Sequence, residues 1–183
     1  MVPDLYESWH AGVSYWRNFK SLNKNSIGIE ISNPGHDFNY KKFSKKQIQS
    51  IKKLSKFLIK KYKIDQKNIL GHSDIAPNRK KDPGEKFPWK YLAKFRIGNW
   101  HSLPKKIVVK NRRKKISATD KKKFFKYISK IGYSIKTPAK IRKDKFLNFL
   151  INAFQRRFRQ KLINGKIDQE CLLISQKLAK KLH

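Results

Sequence analysis

Cysteine is almost absent from this sequence of 183 residues: Cys171 is the only one, which excludes a disulfide within the chain. It lies in an apolar helical stretch, where we expect it to be a small buried side chain. The sequence has no run of 18 apolar residues, so we expect no membrane-spanning helix. Residues 1–4 have neither the basic start nor the apolar core of a signal peptide, so we expect no export signal there.

Acidic residues are also scarce, because 12 Asp and Glu stand against 46 Lys and Arg and give a formal net charge of +34. One interpretation is a polyanionic partner such as nucleic acid or an anionic surface. The other is compositional drift, since 37 of the basic residues are lysines spread over nearly the whole chain. Specific DNA readers favour arginine, which is the minority here. We therefore favour drift and predict no specific nucleic-acid partner.

Aromatic residues, in contrast, are plentiful, with 12 Phe, 7 Tyr and 4 Trp. Disordered chains are poor in aromatic residues, so we expect a folded protein even though only 38% of the residues are hydrophobic. The length is enough for one ordinary domain and a small one. We predict an α/β domain over residues 1–100, a charged linker with one short β-type run over 101–117, and a small helical domain over 118–183.

The pattern of residues 1–100 predicts a mixed central sheet flanked by helices. Residues 26–31, Ser-Ile-Gly-Ile-Glu-Ile, are typical of a buried strand with one acid, and residues 68–71 predict a second strand that leads into His72. Between them, Ser44 and Gln47 form a capping-box pattern at the start of a helix. Strand, helix and strand in this order indicate an α/β layer. The apolar face of that helix is predicted to be Ile48, Ile51, Leu54, Leu58, Ile59 and Tyr62.

Residues 118–183 predict three short amphipathic helices. We expect the first to be capped by Thr119 or Asp120 and to end at Gly132. The second is expected from about residue 143 to 160, and the third to be capped by Asp168. Three such helices can bury one another's apolar faces in a minimal core.

The densest cluster of polar residues extends from Gly71 to Gly84. His72 stands at the end of a predicted strand, and Asp82 follows ten residues later on a loop rich in Pro and Gly. Zinc accepts nitrogen and carboxylate oxygen as ligands, so the two side chains suit one metal ion. Taken alone, however, such a pair is more often part of a capped loop with surface charges.

Six short motifs occur along residues 9–89 in an order that resembles one enzyme family. The series is similar to the zinc-dependent N-acetylmuramoyl-L-alanine amidases related to peptidoglycan recognition proteins, and it covers about residues 2–100. The motifs are Trp9-His10-Ala11-Gly12-Val13-Ser14, Ser26-Ile27-Gly28-Ile29-Glu30-Ile31, Asn33-Pro34-Gly35-His36, Gly71-His72-Ser73-Asp74-Ile75-Ala76-Pro77, Arg79-Lys80-Lys81-Asp82-Pro83-Gly84 and Phe87-Pro88-Trp89.

The resemblance implies a Zn²⁺ hydrolase that cuts the amide between N-acetylmuramic acid and the L-alanine of the stem peptide. It assigns two metal ligands to His72 and Asp82, the catalytic acid–base to Glu30 and the oxyanion-stabilising cation to Lys80. The residues themselves favour a function for Glu30, because an acid inside a buried strand is costly without one. Neighbouring Lys81 leaves the register of Lys80 open.

Three further residues of these motifs are candidate substrate contacts: Trp9, His10 and Asn33. A packing role for Trp9 and His10 is about equally consistent with the sequence. For His36 we expect an exposed loop position.

In the family that the sequence resembles, the first zinc-binding His lies on a strand before the Trp-His-Ala-Gly motif. Residues 1–3 correspond to the end of the following hairpin, so we expect this ligand to be absent and the chain to be N-terminally truncated. The alternatives are a start codon assigned too late or a gene fragment, a surrogate ligand from His10 or His36, and a metal-free relic that only binds cell wall. We expect residues 1–183 to bind zinc poorly, because catalytic zinc sites usually have three protein ligands.

The C-terminal part also resembles a known module, over about residues 118–183. Gly132-Tyr133, residues 152–159 and residues 164–168 look like the helical peptidoglycan-binding module that follows this amidase in some bacterial enzymes. The two resemblances imply peptidoglycan or muropeptides as the partner and the bacterial envelope, periplasm or outer membrane, as the location. We expect a monomer. A non-catalytic peptidoglycan-binding protein is the alternative function.

Overall fold

A computed structural model describes residue 3 and residues 6–181 of the chain. Within this range the fold contains seven α-helices and one two-stranded sheet, so it is a mixed α/β protein dominated by helices. Strand β1 (Tyr15–Trp16) pairs with strand β2 (Phe19–Lys20) in antiparallel register. The helices are α1 (Lys45–Tyr62), α2 (His72–Ile75), α3 (Trp89–Ala93), α4 (Lys105–Asn111), α5 (Ala118–Ile131), α6 (Lys143–Phe158) and α7 (Gln169–Lys181).

The start of α1 follows from local side-chain chemistry. The Ser44 hydroxyl accepts from the Gln47 amide at 3.1 Å, and the Gln47 side chain accepts from the Ser44 amide at 2.9 Å, so the predicted capping box is confirmed. On the predicted apolar face Ile51 is buried, whereas Leu54 and Tyr62 are exposed. The face is therefore narrower than the sequence pattern indicated.

The three predicted C-terminal helices are α5, α6 and α7. Gly132 ends α5, and the Asp168 side chain accepts from the Cys171 amide at the start of α7, as predicted. The expected cap of α5 was wrong: Ser117 caps the helix because its hydroxyl accepts from the Asp120 amide. Cys171 is buried, in agreement with its expected packing role. That these helices form a separate domain stays a prediction.

The predicted central sheet is not confirmed by the described residues. Residues 26–31 are not assigned to a strand and are mostly exposed, so the prediction of a buried strand was wrong. A strand needs a hydrogen-bonded neighbour, and no described strand pairs with this segment. Residues 66–68 form a short 3-10 helix, so the strand predicted at residues 68–71 was also wrong.

The segment predicted as a linker carries helix α4, where we had expected a short β-type run. Val108 of this helix is buried in the core that α5, α6 and α7 share. The Arg112 guanidinium forms a bidentate ion pair with Glu170 of α7, at 2.7 and 2.8 Å. Residues 105–112 thus pack closely on the C-terminal helices, while the predicted domain boundaries stay a prediction.

Two hydrophobic clusters hold the fold together. The larger one joins Ala11, Trp16 and Leu22 of the N-terminal part to helices α4 to α7. The smaller one lies under α1 and α3, and Trp100 packs against both clusters. The smaller cluster consists of Tyr40, Phe43, Ile51, Phe87, Trp89, Leu92 and Ile97.

Among the helices of the described residues, none has the length and apolar character of a membrane span.

Candidate functional site

His72 is the first residue of the four-residue helix α2, directly after Gly71. The Asp74 carboxylate accepts from the Gly71 amide at 2.8 Å and so closes the turn on which His72 stands. The Ser73 amide donates to the Asp82 carbonyl at 2.9 Å. This backbone bond fixes the loop that carries Asp82 next to the helix that carries His72.

The side chains of His72 and Asp82 are brought together as the sequence predicted. His72 Nδ1 lies 3.1 Å from Asp82 Oδ2, and His72 Nε2 lies 3.3 Å from the Ala11 carbonyl oxygen. Burial raises the pKa of Asp82, but the hydrogen bond and charge of His72 and the charge of Lys80 outweigh it, so the pKa lies below its ordinary value. Asp82 is thus held as an anion beside an imidazole.

This pair fits a zinc ion in part. Ligands at about 2.0–2.2 Å from a tetrahedral ion are spaced by little more than 3 Å, so a nitrogen and an oxygen 3.1 Å apart suit two of its corners. Within residues 6–181, however, no group of three His, Cys, Asp or Glu side chains suits a metal ion. Among the described contacts, His10 bonds Ser8 and Ser26, His36 bonds Glu85, and neither imidazole bonds His72 or Asp82.

Lys80 and Lys81 are the two candidate cations that precede Asp82. The charge of Lys80 contributes to the lowered pKa of Asp82. The Lys81 ammonium instead lies 3.5 Å from Asp37 on the surface. The contact with Asp37 gives Lys81 a partner on the surface, and the role of Lys80 stays a prediction.

Glu30 does not occupy the environment that we expected. Its side chain is exposed, on a segment without regular secondary structure. Among the described residues it forms no hydrogen bond or ion pair, and none joins it to His72 or Asp82. The argument from burial is thus wrong, and a catalytic role for Glu30 rests on the motif alone.

The three candidate substrate contacts lie in different settings. Trp9 is 90% exposed, so it is free to contact a ligand. The His10 ring packs on Gly28, where an added Cβ would lie 2.7 Å from it. Asn33 stabilises its own loop, since its side chain donates to the Lys41 carbonyl and accepts from the Gly35 amide.

Arg79, which sequence reasoning passed over, fixes the loop opposite His72. Its guanidinium donates to the carbonyls of Ala11 at 2.9 Å and Val13 at 2.7 Å. Asn23 holds the same loop from the other side, because its Oδ1 accepts from the amides of Ala11 and Gly12. Because Gly12 has φ +59° and lies against Arg79, the Trp-His-Ala-Gly motif needs its glycine for this close approach.

A buried polar cluster behind His72 was also missed. Asp74 accepts from the Tyr133 hydroxyl at 2.5 Å and from Arg157 Nη1 at 2.9 Å. Burial and the charge of Asp74 raise the pKa of Tyr133 far above its ordinary value, so its hydroxyl stays a donor. Both partners come from the C-terminal half, and no local sequence signal links them to Asp74.

Comparison with known proteins places these features in a family. The family model described as N-acetylmuramoyl-L-alanine amidase matches residues 1–85. The amidase AmiD of Escherichia coli (strain K12) is 36% identical over 189 residues, which cover 99% of this chain and 66% of AmiD. The 1,6-anhydro-N-acetylmuramyl-L-alanine amidase AmpD of the same organism is 41% identical over 96 residues, which cover 52% of this chain and 49% of AmpD. The chain thus spans less than two thirds of both relatives.

Solved structures show the same similarity. The complex of E. coli AmiD with anhydro-N-acetylmuramic acid-L-Ala-D-gamma-Glu-L-Lys matches with a TM-score of 0.84 and 34% identity, over 99% of this chain and 71% of that one. AmpDh3 from Pseudomonas aeruginosa in complex with anhydromuramic pentapeptide matches with a TM-score of 0.81 and 34% identity, over 98% and 71% of the two chains. The similarity therefore includes the C-terminal helices as well as the region around His72.

Proposed function

Because this chain belongs to the N-acetylmuramoyl-L-alanine amidase family, we propose that it acts on the amide between N-acetylmuramic acid and the L-alanine of a peptidoglycan stem peptide. The observation that carries the proposal is the pairing of His72 with Asp82 at 3.1 Å, in a fold that matches an amidase bound to its substrate. Hydrolysis adds water across this bond and releases a lactyl carboxylate and the free amine of L-alanine.

His72 and Asp82 are the proposed holders of Zn²⁺, whose chemistry is to lower the pKa of a water molecule and to polarise the scissile carbonyl. The proposed role of the Glu30 carboxylate is to accept a proton from the attacking water and to deliver it to the leaving nitrogen. The Lys80 ammonium would stabilise the negative charge that develops on the carbonyl oxygen, an effect often worth about 3 kcal/mol. The influence of its charge on the pKa of Asp82 supports this role.

We further propose that the 183-residue polypeptide by itself binds zinc weakly and turns substrate over slowly. Catalytic zinc sites usually have three protein ligands, and the described residues supply two at one place. In the present arrangement a surrogate third ligand would need His10 to leave Ser8 and Ser26, or His36 to leave Glu85.

The same observation favours a second candidate function, namely peptidoglycan binding without hydrolysis. Trp9 offers a large exposed ring at the edge of the motif region, where it is the proposed contact for the substrate. The proposed place of action for either function is the bacterial envelope, since peptidoglycan or its fragments are the proposed partner.

The two functions are separated by one experiment on the full chain. Purified protein with added ZnCl₂ is incubated with muropeptides and with intact sacculi, and released stem peptides are measured by mass spectrometry. Release by the natural chain, lost in H72A and retained in H36Q, supports hydrolysis. Co-sedimentation with sacculi without release supports binding alone, and failure to bind or cleave either material overturns both proposals.

A further inference from the structure

Helix α6 reaches the turn of His72 through one buried side chain. Arg157 donates through Nη1 to Asp74 at 2.9 Å and through Nη2 to the Ile69 carbonyl at 3.0 Å. Its guanidinium also stacks on the Trp89 ring, 3.4 Å from the centroid. Arg157 therefore contacts the chain on both sides of His72, at Ile69 three residues before it and at Asp74 two residues after it.

Asp74 is the point at which these contacts converge. Its carboxylate is 2% exposed and accepts from the Gly71 amide, the Tyr133 hydroxyl and Arg157. The Gly71 bond closes the turn that presents His72. The other two bonds come from outside that turn and fix its orientation.

The turn needs such support because α2 is only four residues long. A single helical turn is unfavourable by itself, since it fixes several backbone dihedrals for one hydrogen bond. The hydrogen bond from the Ser73 amide to the Asp82 carbonyl couples the position of α2 to that of Asp82, the second proposed metal ligand. A displacement of Asp74 would thus separate His72 from Asp82.

We propose that Arg157 is a positioning residue that acts through Asp74 to hold His72 against Asp82. This inference rests on the proposed function for its catalytic meaning. On this proposal the C-terminal helices help to position the catalytic site, in addition to any contact that they make with peptidoglycan.

Arginine is specifically suited to this position. Its planar guanidinium supplies two donors in fixed directions and a flat face for Trp89, whereas a lysine ammonium is a point charge on a flexible stem. The substitution R157K keeps the positive charge but removes the two fixed donors and the flat face that stacks on Trp89. R157K therefore tests whether the shape of the guanidinium, and not its charge alone, positions Asp74.

The chain offers a matched control in Arg159. This residue is also buried on the same segment and forms an ion pair with Asp168, and it donates to Asn164 at 2.7 Å. Its partners belong to the C-terminal half, so R159K disturbs a buried Arg–Asp pair of the same kind without touching the turn of His72.

The test compares R157K with R159K in the full chain at a temperature where both are folded. Two measurements need neither zinc nor substrate: amide hydrogen exchange at Ser73 and the NMR signal of the His72 imidazole. We expect exchange at Ser73 to be at least about tenfold faster in R157K than in R159K, and the His72 signal to shift or broaden in R157K alone. Zinc affinity, measured by competition with a chelator, is expected to fall about tenfold in R157K alone.

Equal Ser73 exchange and equal His72 signals in the two variants would overturn the positioning role. Equal zinc affinity, with the exchange and imidazole signals changed in R157K alone, would instead count against the proposed metal role of His72 and Asp82. Y133F, which removes one hydroxyl from Asp74, replaces R157K where that variant fails to fold and is expected to act in the same direction. Because the exchange and imidazole measurements are made on metal-free protein, they decide the inference even where amide hydrolysis is not observed.

Discussion

The imidazole of His72 and the carboxylate of Asp82 meet at 3.1 Å because the Ser73 amide bonds the Asp82 carbonyl at 2.9 Å. The contact between the two side chains is thus a consequence of a backbone bond between their neighbours. Nine residues separate them along the chain, yet the two side chains lie within hydrogen-bond distance of each other.

The first prediction concerns Asp82 itself. D82N keeps the size of the side chain but removes its charge, so we expect zinc affinity to fall more than about 100-fold, since even partners outside the ligand set contribute about 10–100-fold. Isothermal titration of the metal-free chain with ZnCl₂ measures this. D37N removes a surface partner of Lys81 and is the control. Equal affinities in the two variants would contradict the assignment of Asp82.

The second prediction separates the two adjacent lysines. K80M is expected to lower kcat for muropeptide hydrolysis by about 100-fold, because it removes the proposed oxyanion-stabilising cation. K81M is expected to change kcat less than about twofold, since the Lys81 ammonium faces Asp37 on the surface. Steady-state kinetics of the two variants provide the comparison. A larger loss in K81M would show that the register is wrong by one residue.

The third prediction concerns pH and His101. Burial, and to a smaller extent the charge of Lys90, lower the pKa of His101 to about 4 from its ordinary value of 6.5, because they disfavour the imidazolium. Between pH 4 and pH 6.5 the unfolded chain binds more protons than the folded one, so the free energy of unfolding rises with pH. The stability that the neutral His101 contributes is complete above about pH 6.5 and is lost as the pH falls towards 4.

Urea unfolding at pH 7 and pH 5 measures this effect. We expect the natural chain to lose about 1–2 kcal/mol more than H101Q between these pH values. Because H101Q carries no titrating imidazole, the comparison removes the effect of the carboxylates. A difference of zero between the two pH profiles would refute the assignment to His101.

The fourth prediction concerns the junction between strand β1 and helix α5. Gly132 has φ +139°, and an added Cβ would lie 2.5 Å from the Trp16 ring, so G132A combines backbone strain with a clash. We expect it to lower the free energy of unfolding by more than about 3 kcal/mol. G35A, where φ is +75° and nothing lies within 4 Å, is expected to lose about 1–2 kcal/mol. Chemical denaturation of both variants tests the order.

Features set by neighbouring residues were predictable from the sequence. Ser44 and Gln47 start α1, Gly132 ends α5 and Asp168 caps α7, and each depends on residues within one turn. That His72 and Asp82 lie together was predicted because both belong to the short segment from residue 71 to 84, whose two motifs resemble the family. The conformation of residues 26–31 was not predicted correctly, because alternating Ile residues indicate a strand only where a neighbouring strand is available to pair.

The long-range part of the site had no such signal. Arg157 is one of nine arginines and lies 83 residues from Asp74, and nothing near it distinguishes it from an exposed helical residue. Glu30 shows the converse error, since a pattern typical of burial belongs to an exposed segment. Its catalytic role and that of Lys80 therefore remain predictions for kinetics to test.

The distance along the chain between Arg157 and its partners has a consequence for synthesis. Ile69 and Asp74 leave the ribosome 88 and 83 residues ahead of the guanidinium that they bind. During that interval Asp74 has no cationic partner from helix α6, and the Trp89 ring has no guanidinium above it. The contacts that hold the turn of His72 are therefore complete only after residue 157 has been synthesised, so this turn lacks part of its support while the preceding residues emerge.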